Sequence, residues 1–596
     1  MSTITRRNFL KISAVAASTL VISTGLSGCG SSNNDENLNV SFNHGVASGD
    51  PLSDKVIIWT RITHDNETLS SDISVDFEVS TDENFVSIVN NGTYTAQESE
   101  DFTVKIDVQE LNAGTKYYYR FISNGTTSPV GKMKTLPVEN PDQVKMAVFT
   151  CANYPNGYFN AYSEAAKVED LDVSIHVGDY IYEYGMYEDD DFEVKTPAYA
   201  TSNAQTIDRA LPDDNNTECI ELNDYRKRYA LYHTDSGTQA IHSHCPMIVV
   251  WDDHEIANDT YKDGAQNHDE SEGDFEIRTQ EALQAYFEWL PIRPIDNKKE
   301  IFRSFDFGTL VSLHMLETRI FGRDKQLSYG DYYDASGNFD SDTFTQDLTS
   351  DTRTMLGSEQ LAWLQGQLSN SSATWQVLGQ QVLMNRMSLP AELLTVIAQL
   401  ESADDTTASA LLESLNTSLT ELVTIKTRIL QGDDTVTDTE KARVNTVLPY
   451  NLDAWDGYFY ERETILGTVE ALNKNLVVLA GDTHNAWASN LTDMNGNQIG
   501  VEFATPSVTS PGLEEYVGLT STEASLQFEG ALQLLINDLQ YTNTYDRGFM
   551  TVTFTQNDVE TKWQFVDNYD STTYNLNGNR EKTITVENTS GSLTIV

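Results

Sequence analysis

Val173-Ser174-Ile175-His176-Val177-Gly178-Asp179 is an almost unbroken apolar run that stops on a glycine and an acid. A strand with one wet face alternates apolar and polar residues, whereas a strand covered on both faces does not, so this run reads as a buried strand of an α/β sheet. The glycine allows a tight turn at the carboxyl end, where Asp179 can face a pocket. Three other near-continuous apolar runs end in polar or acidic residues: Lys145-Met146-Ala147-Val148-Phe149-Thr150-Cys151, Met247-Ile248-Val249-Val250-Trp251-Asp252-Asp253 and Leu476-Val477-Val478-Leu479-Ala480-Gly481-Asp482. Helical periods lie between them, at residues 281–290 and 358–368. A single Gly-Asp is ordinarily just a turn. Four buried strands that all end in oxygen, nitrogen or sulfur donors are harder to dismiss. Carboxylates gathered at strand tips repel one another and are costly to bury unpaired, and a multivalent cation relieves both problems. Two cations about 3.5–4 Å apart form the usual clamp for displacement at phosphorus.

Upstream of these runs the pattern changes. Lys55-Val56-Ile57-Ile58-Trp59-Thr60-Arg61, Val75-Asp76-Phe77-Glu78-Val79, Phe102-Thr103-Val104-Lys105-Ile106 and Lys116-Tyr117-Tyr118-Tyr119-Arg120-Phe121 are short strands with turn residues between them and no helical segments. They predict a small antiparallel β-sandwich over residues 40–138. The α/β domain then spans 143–575, followed by a C-terminal extension, 576–596. A stretch of helical period rich in Leu, Ser, Thr and acids, residues 391–443, reads as an insertion, either surface decoration or a lid.

The first 28 residues read as an address. Thr5-Arg6-Arg7-Asn8-Phe9-Leu10-Lys11 precedes an apolar stretch too short to span a bilayer. It resembles a twin-arginine export signal, and Leu26-Ser27-Gly28-Cys29 resembles a lipoprotein cleavage box that would leave Cys29 lipidated. Residues 29–39 form a polar tether. The expected location is therefore periplasmic or at the cell surface. Of the three remaining cysteines, Cys219 and Cys245 could pair outside the cytoplasm while Cys151 stays free for chemistry.

With 39% hydrophobic and 10% aromatic residues in 596, the chain has ample material for a core, and its length suggests two domains. A formal charge of −52 argues against a nucleic-acid-binding surface or a resting place on anionic lipid. An anionic substrate would need local positive charge from metals and a few arginines.

Gly178-Asp179-x-x-Tyr182, Asp253-His254-Glu255 and Gly481-Asp482-x-His484 resemble the motifs of calcineurin-type metallophosphoesterases. The finer resemblance is to the PhoD-like alkaline phosphatases and phosphodiesterases. It rests on Gly45-Val46-Ala47-Ser48-Gly49-Asp50-Pro51, Phe149-Thr150-Cys151-Ala152, His176 to Glu183, Trp251-Asp252-Asp253-His254-Glu255, Leu356-Gly357-x-x-Gln360-x-x-Trp363-Leu364, Trp455-Asp456-Gly457-Tyr458 and Gly481-Asp482-Thr483-His484. The resemblance implies a metallophosphoesterase sandwich of the α/β (α+β) class, with mixed sheets flanked by helices. It implies Fe(3+) held by Cys151, Asp179, Tyr182, Asp482 and His484, where thiolate and phenolate suit the oxidised metal. Asp179 and Asp482 would bridge to Ca(2+), with Asp252, Asp253 and Asn258 completing oxygen-rich shells. His254 would donate a proton to the leaving oxygen or a hydrogen bond to phosphate, or else support a neighbouring metal ligand. Arg386 and Arg319 are candidate phosphate clamps, with a structural ion pair the alternative for Arg319. The chain departs from the family pattern at Glu317-Thr318-Arg319, where Asp-Thr-Arg is common. It departs again in the third motif, where an Asp stands in the place many metallophosphoesterases give to Asn.

The expected function is an exported, monomeric, metal-dependent phosphatase or phosphodiesterase that hydrolyses phosphate-ester small molecules or exposed phosphodiesters by metal-activated hydroxide and scavenges phosphate. A phospholipase D-like phosphodiesterase or transphosphatidylase is the alternative enzyme. A non-catalytic, calcium-stabilised surface lipoprotein is the alternative from another class, and a lipid anchor at Cys29 would be its sole membrane attachment.

Overall fold

A computed structural model of the chain describes residues 38–65, 72–188, 194–195, 203–334, 338–400, 405–589 and 592–595. The residues read as an export signal, Cys29 and most of those read as a tether lie outside the described residues. Among the described residues no helix is long and apolar enough to cross a membrane.

Three of the four runs that end in donor residues are adjacent parallel strands: Val144–Phe149, Val173–His176 and Met247–Val249, with Val148 opposite Ile175 and Ile175 opposite Ile248. Their side chains are almost all buried on both faces, which explains the absence of alternation. Each fully buried Val, Ile or Phe contributes about 1.5–3 kcal/mol by leaving water. The fourth run, Asn475–Ala480, lies in a different sheet. The pocket therefore forms where two sheets bring their carboxyl ends together.

The first sheet has ten strands. Beyond Val144–Phe149 it continues through Arg547–Phe554, Asp558–Val566, Lys582–Thr589 and Ser592–Ile595. Beyond Met247–Val249 it continues through Val46–Gly49, Val56–Arg61 and Thr103–Val108. The second sheet has seven strands, in the order Arg303–Phe307, Val311–Met315, Trp375–Gly379, Asn475–Ala480, Gln498–Ala504, Ala486–Thr492 and Leu539–Asn543. Both sheets mix parallel and antiparallel neighbours. One core cluster draws on both, including Val148 and Ile175 from the first and Leu313, Val377, Leu479 and Phe503 from the second. Indole hydrogen bonds tie them together, from Trp563 Nε1 to the Ala504 carbonyl at 2.9 Å and from Trp375 Nε1 to the Thr555 carbonyl at 2.7 Å. Helices Phe275–Trp289 and Gly357–Asn370 cover the two helical periods read from sequence, except that the first ends one residue before Leu290.

The N-terminal segment does form two facing sheets around its own core of Val56, Ile58, Val75, Val79, Val104, Tyr119 and Phe121. Strand Ile73–Ser80 alternates buried and solvent-facing side chains, as a half-covered strand should. One of its sheets is not separate, however. Gly49 pairs with Met247, so three N-terminal strands extend the ten-stranded sheet. Gly49 is required there because an added Cβ would come within 2.4 Å of the Pro291 carbonyl oxygen. The C-terminal residues likewise are no appendage, since two of their strands close the opposite edge of that sheet.

The described residues of the 391–443 stretch form helices Ala391–Leu400, Asp405–Leu430 and Asp438–Asn445. Leu415, Leu422 and Ile425 bury into the same cluster as Leu513, Phe528 and Leu532. The thiols of Cys219 and Cys245 are both free and buried. They cannot pair because Cys245 precedes strand Met247–Val249 whereas Cys219 N bonds to the Glu183 carbonyl, past the far end of the neighbouring strand.

Candidate metal centre

The chain tips that build the pocket touch one another closely. An added Cβ at Gly178 would lie 2.3 Å from the Cβ of Asp252, and one at Gly481 would lie 2.4 Å from Thr150 Oγ1. Glycine at these positions is what lets the ends of both sheets converge. Cys151, Asp179, Asp482 and His484 all have left-handed backbones, with φ of 56°, 56°, 63° and 61°. Such conformations cost about 1–3 kcal/mol each and persist where surrounding structure enforces them, commonly at functional sites. Glu255 is one enforcer: its buried carboxylate accepts the backbone N–H of Asp179, Tyr180 and Asp252, joining two strand tips. Arg228, buried on helix Leu222–Tyr232, holds the carbonyls of Tyr182 and Tyr184.

The side chains fall into two groups. In the first, Cys151 Sγ lies 3.3 Å from Asp179 Oδ2, and Tyr182 OH donates to the same oxygen at 3.0 Å. His484 Nε2 is 3.2 Å from Tyr182 OH, while its Nδ1 bonds to the Pro511 carbonyl. Ser510 Oγ sits 2.8 Å from Tyr182 OH. One ligand atom each from Cys151, Asp179 and His484 lie within 4.8 Å of one another. Burial, reinforced by Asp179, pushes the Cys151 thiol and the Tyr182 phenol well above their usual ranges, and burial drops His484 to about 3.

The second group is acidic. The Arg319 guanidinium donates to Asp252 Oδ1, to both oxygens of Asp453 at 2.8 and 3.0 Å, and to Asp482 Oδ1 at 3.0 Å, and it reaches Asp253 at 3.7 Å. Arg323 also holds Asp453. Burial drives Asp482 well up and Asp252 up to about 7, whereas Arg319 and His254 overcome burial at Asp253 and hold it down at about 2. Asp179 belongs to both groups, since its carboxylate also lies within 4.8 Å of ligand atoms of Asp253 and His254. His254 stacks on Tyr182 with ring centroids 4.2 Å apart, and Nδ1 bonds to Glu183 Oε2 at 2.7 Å. Burial opposes its charge, but Asp253, Glu183 and Asp179 together raise it well above the ordinary imidazole range.

A cation fits this arrangement. Asp179 Oδ1 and Asp252 Oδ2 are buried without any hydrogen-bond partner, an expensive state for carboxylate oxygens that a cation would remove. The donor set also divides by softness, with sulfur, phenol and imidazole on one side of Asp179 and carboxylates on the other.

Most of the residues picked from sequence therefore meet: Cys151, Asp179, Tyr182, Asp252, Asp253, His254, Arg319, Asp482 and His484. Arg319 forms ion pairs with Asp252, Asp253, Asp453 and Asp482, the contacts that its ion-pair reading describes. Asn258 lies at the rim, its amide occupied by Tyr184 OH and Gln266. Arg386 is not brought in. Its guanidinium holds Thr492 Oγ1 at 3.0 Å and the Asp493 carbonyl at 2.9 Å. Those residues end strand Ala486–Thr492, roughly 20 Å of extended chain beyond the site. The strand-tip rule failed here because the chain runs on for several residues past Gly379 before reaching Arg386. Sequence reading assigned no role to Glu183, Glu255, Asp453 or Ser510. The first two stood inside quoted motifs, and Asp453 sits just before Trp455-Asp456-Gly457, but Ser510 carries no local signal. Glu317, the departure from Asp-Thr-Arg, is buried and accepts the backbone N–H of Arg319, Ile320 and Phe321 together with Trp251 Nε1, shaping the turn that presents Arg319.

The family model "PhoD-like phosphatase" matches residues 146–563, and "PhoD-like phosphatase, N-terminal domain" matches residues 28–137. Alkaline phosphatase D of Bacillus subtilis (strain 168) is 34% identical over 487 residues, covering 79% of this chain and 70% of that protein. The solved structure of PhoD superposes with a TM-score of 0.70 at 28% identity, covering 93% of this chain and 92% of the other. The fold, the convergent strand tips and these likenesses agree: the chain belongs to the PhoD-like phosphatase family and is a hydrolase of phosphoric esters.

Proposed function

We propose that the protein is an exported, metal-dependent alkaline phosphatase or phosphodiesterase that releases phosphate from small phosphate esters or exposed phosphodiesters, and that its two sheets are the metallophosphoesterase sandwich. The observation that carries this reading is the meeting of Cys151, Asp179, Tyr182 and His484 on one side with Asp252, Asp253 and Asp482 on the other, with two carboxylate oxygens left unpartnered between them. Cys151, Asp179, Tyr182 and His484 would hold Fe(3+), and Asp179, Asp252, Asp253 and Asp482 would hold Ca(2+). Bound there, the cations would supply Lewis acidity, making water more acidic and offsetting charge on phosphoryl oxygens.

The chain's own groups do the rest. Glu255 and the two glycines keep the ligands in place before substrate arrives, which lowers the reorganisation cost of the transition state. His254, kept protonated by the acids around it, is placed to give its proton to the departing ester oxygen. A calcium-stabilised binding protein without turnover would need oxygen ligands alone, and a thiol, a phenol and an imidazole in the same cluster do not fit it.

Elemental analysis and a visible spectrum of the purified protein test the proposal. Iron and calcium are expected, with a tyrosinate-to-iron band that disappears in Tyr182→Phe. Hydrolysis of p-nitrophenyl phosphate and its bis ester should vanish on chelation and return with the metals. Full activity after exhaustive chelation would overturn the reading.

A further inference from the structure

The helices of the 391–443 stretch stand on a narrow root. Strand Ser388–Pro390 leads into them and strand Val447–Pro449 leads out, paired antiparallel with Pro390 opposite Val447. Tyr329 OH donates to the Pro449 carbonyl at 2.8 Å, and Leu448 packs beside Tyr332, Phe344 and Leu452. The outgoing strand runs into the acidic side of the pocket. Asp453, held by Arg319 and Arg323, comes four residues after Pro449, at most about 14 Å of extended chain. The helices reach the other side as well. There Ser510 Oγ bonds to Tyr182 OH, the Pro511 carbonyl to His484 Nδ1, and Leu513 N donates to Asn485 Oδ1 at 3.1 Å. That segment also carries the insertion. Leu513 and Val517 share an apolar cluster with Leu415 and Leu422 of helix Asp405–Leu430, and an added Cβ at Gly518 would lie 3.2 Å from Leu412. Leu513 is three residues from Ser510, at most about 11 Å of chain. Arg443 joins the three helices by pairing with Glu392 at 2.7 Å and Glu421 at 2.8 Å, and Lys426 Nζ donates to Asn537 Oδ1 at 3.0 Å.

We propose that residues 391–446 form a fixed wall beside the mouth of the pocket that sets the size of ester admitted. A phosphate on a small molecule reaches the site, and the same phosphate on a large body is held off. The inference rests on the phosphatase reading of the site and on where its side chains meet, not on which metals they hold. Surface decoration needs only its root. This unit is seated at two places, one on each side of the pocket, and its buried leucines keep it from swinging aside. A bulky ester must therefore displace the wall or give up contacts before its phosphorus reaches the acids. That penalty persists in the transition state and lowers kcat/KM for the large ester relative to the small one.

The test places one ester bond on two bodies: deoxyadenosine 5′-phosphate, and a DNA strand of about 20 nucleotides whose 5′-phosphate sits on the same nucleoside. Both are assayed in about 0.5 M NaCl, which screens the charge of −52 and leaves bulk as the difference. The wild type should favour the mononucleotide by about 100-fold in kcat/KM. Residues 391–446 can be excised with an Asn-Gly turn joining Pro390 to Val447, a closure that the pairing of the two strands allows. The excised form should bring the ratio within about tenfold through a faster rate on the DNA, with the mononucleotide rate changed by less than about threefold. Excision uncovers Leu513 and Val517, so a second variant, Leu415→Ala/Leu422→Ala, loosens the seat while keeping the helices. Its ratio should fall about threefold. A ratio unchanged in the excised form, or in the double variant where the excised form does not fold, would make the insertion surface decoration and overturn the proposal. Wild-type turnover of neither substrate would count against the phosphatase reading instead, since this inference is read only from the ratio.

Discussion

The two sides of the centre solve the same electrostatic problem by different means. On the Cys151, Tyr182 and His484 side, protons neutralise the donors: burial raises the thiol and the phenol, lowers the imidazole, and leaves all three uncharged and hydrogen-bonded around Asp179. On the Asp252, Asp253 and Asp482 side the guanidinium of Arg319 does the neutralising, with Asp453 drawn into the same network. Cations bound as proposed would therefore have to displace protons on one side and compete with an arginine on the other. The first side should bind metal with a strong pH dependence and the second with a strong dependence on Arg319.

Asp179 is the place to break that comparison, because it belongs to both sides. Asp179→Asn should remove more than about 100-fold of the activity and lower the content of both metals, a larger effect than supporting residues around metal sites produce. Retention of one metal at full stoichiometry would show that the sides are independent. Next in size, Arg319→Met leaves several buried carboxylates without their partner. Removing one member of a buried ion pair costs about 3–5 kcal/mol, so denaturant unfolding of the metal-free variant should show a loss in that range. The loss should shrink once cations are loaded. An equal loss with and without metal would mean that Arg319 and the cations do not share the same acids.

A smaller effect follows from pH. Burial pushes Glu255 up to about 8 and Asp252 up to about 7. For an acid whose folded pKa is raised, the stabilising contribution is complete below its unfolded value near 4 and is lost as pH rises through the folded value. The metal-free protein should accordingly lose Tm between about pH 4 and 8, and the loaded protein should lose less, since cations would take over the charge at Asp252. Parallel melting curves for the two forms would count against a cation beside Asp252.

How much of this was legible in the sequence follows from what is local. A strand covered on both faces announces itself by losing alternation, so Val173–His176 and Asn475–Ala480 could be read with their acids attached. Which sheet each strand joins depends on contacts hundreds of residues apart, and nothing near Asp482 signals that it comes from the second sheet. The fusion of the N-terminal strands to the ten-stranded sheet was hidden for the same reason, since it turns on Gly49 meeting Met247. Ser510, beside Tyr182 OH in space yet 328 residues away in sequence, is a further case. Glu183 and Glu255 were visible as letters, but their roles depend on what their carboxylates reach.

Arg386 and Arg319 bring the comparison to its smallest and sharpest case. Both are arginines past the end of a central strand, and the family resemblance made both candidates for the same task, clamping phosphate. Arg319 follows its strand, Val311–Met315, by four residues through a turn held by Glu317, which points it at the acids. Arg386 comes seven residues after Gly379 and spends its hydrogen bonds on Thr492 Oγ1 and the Asp493 carbonyl. Arg386→Ala should cost about 1 kcal/mol of stability, the ordinary worth of such bonds. Its kcat/KM should remain within about twofold of wild type, as for sites too far apart to couple. A tenfold rise in KM for p-nitrophenyl phosphate would instead mean that Arg386 reaches the substrate, and that distance along the strand is a poor guide to distance from the pocket.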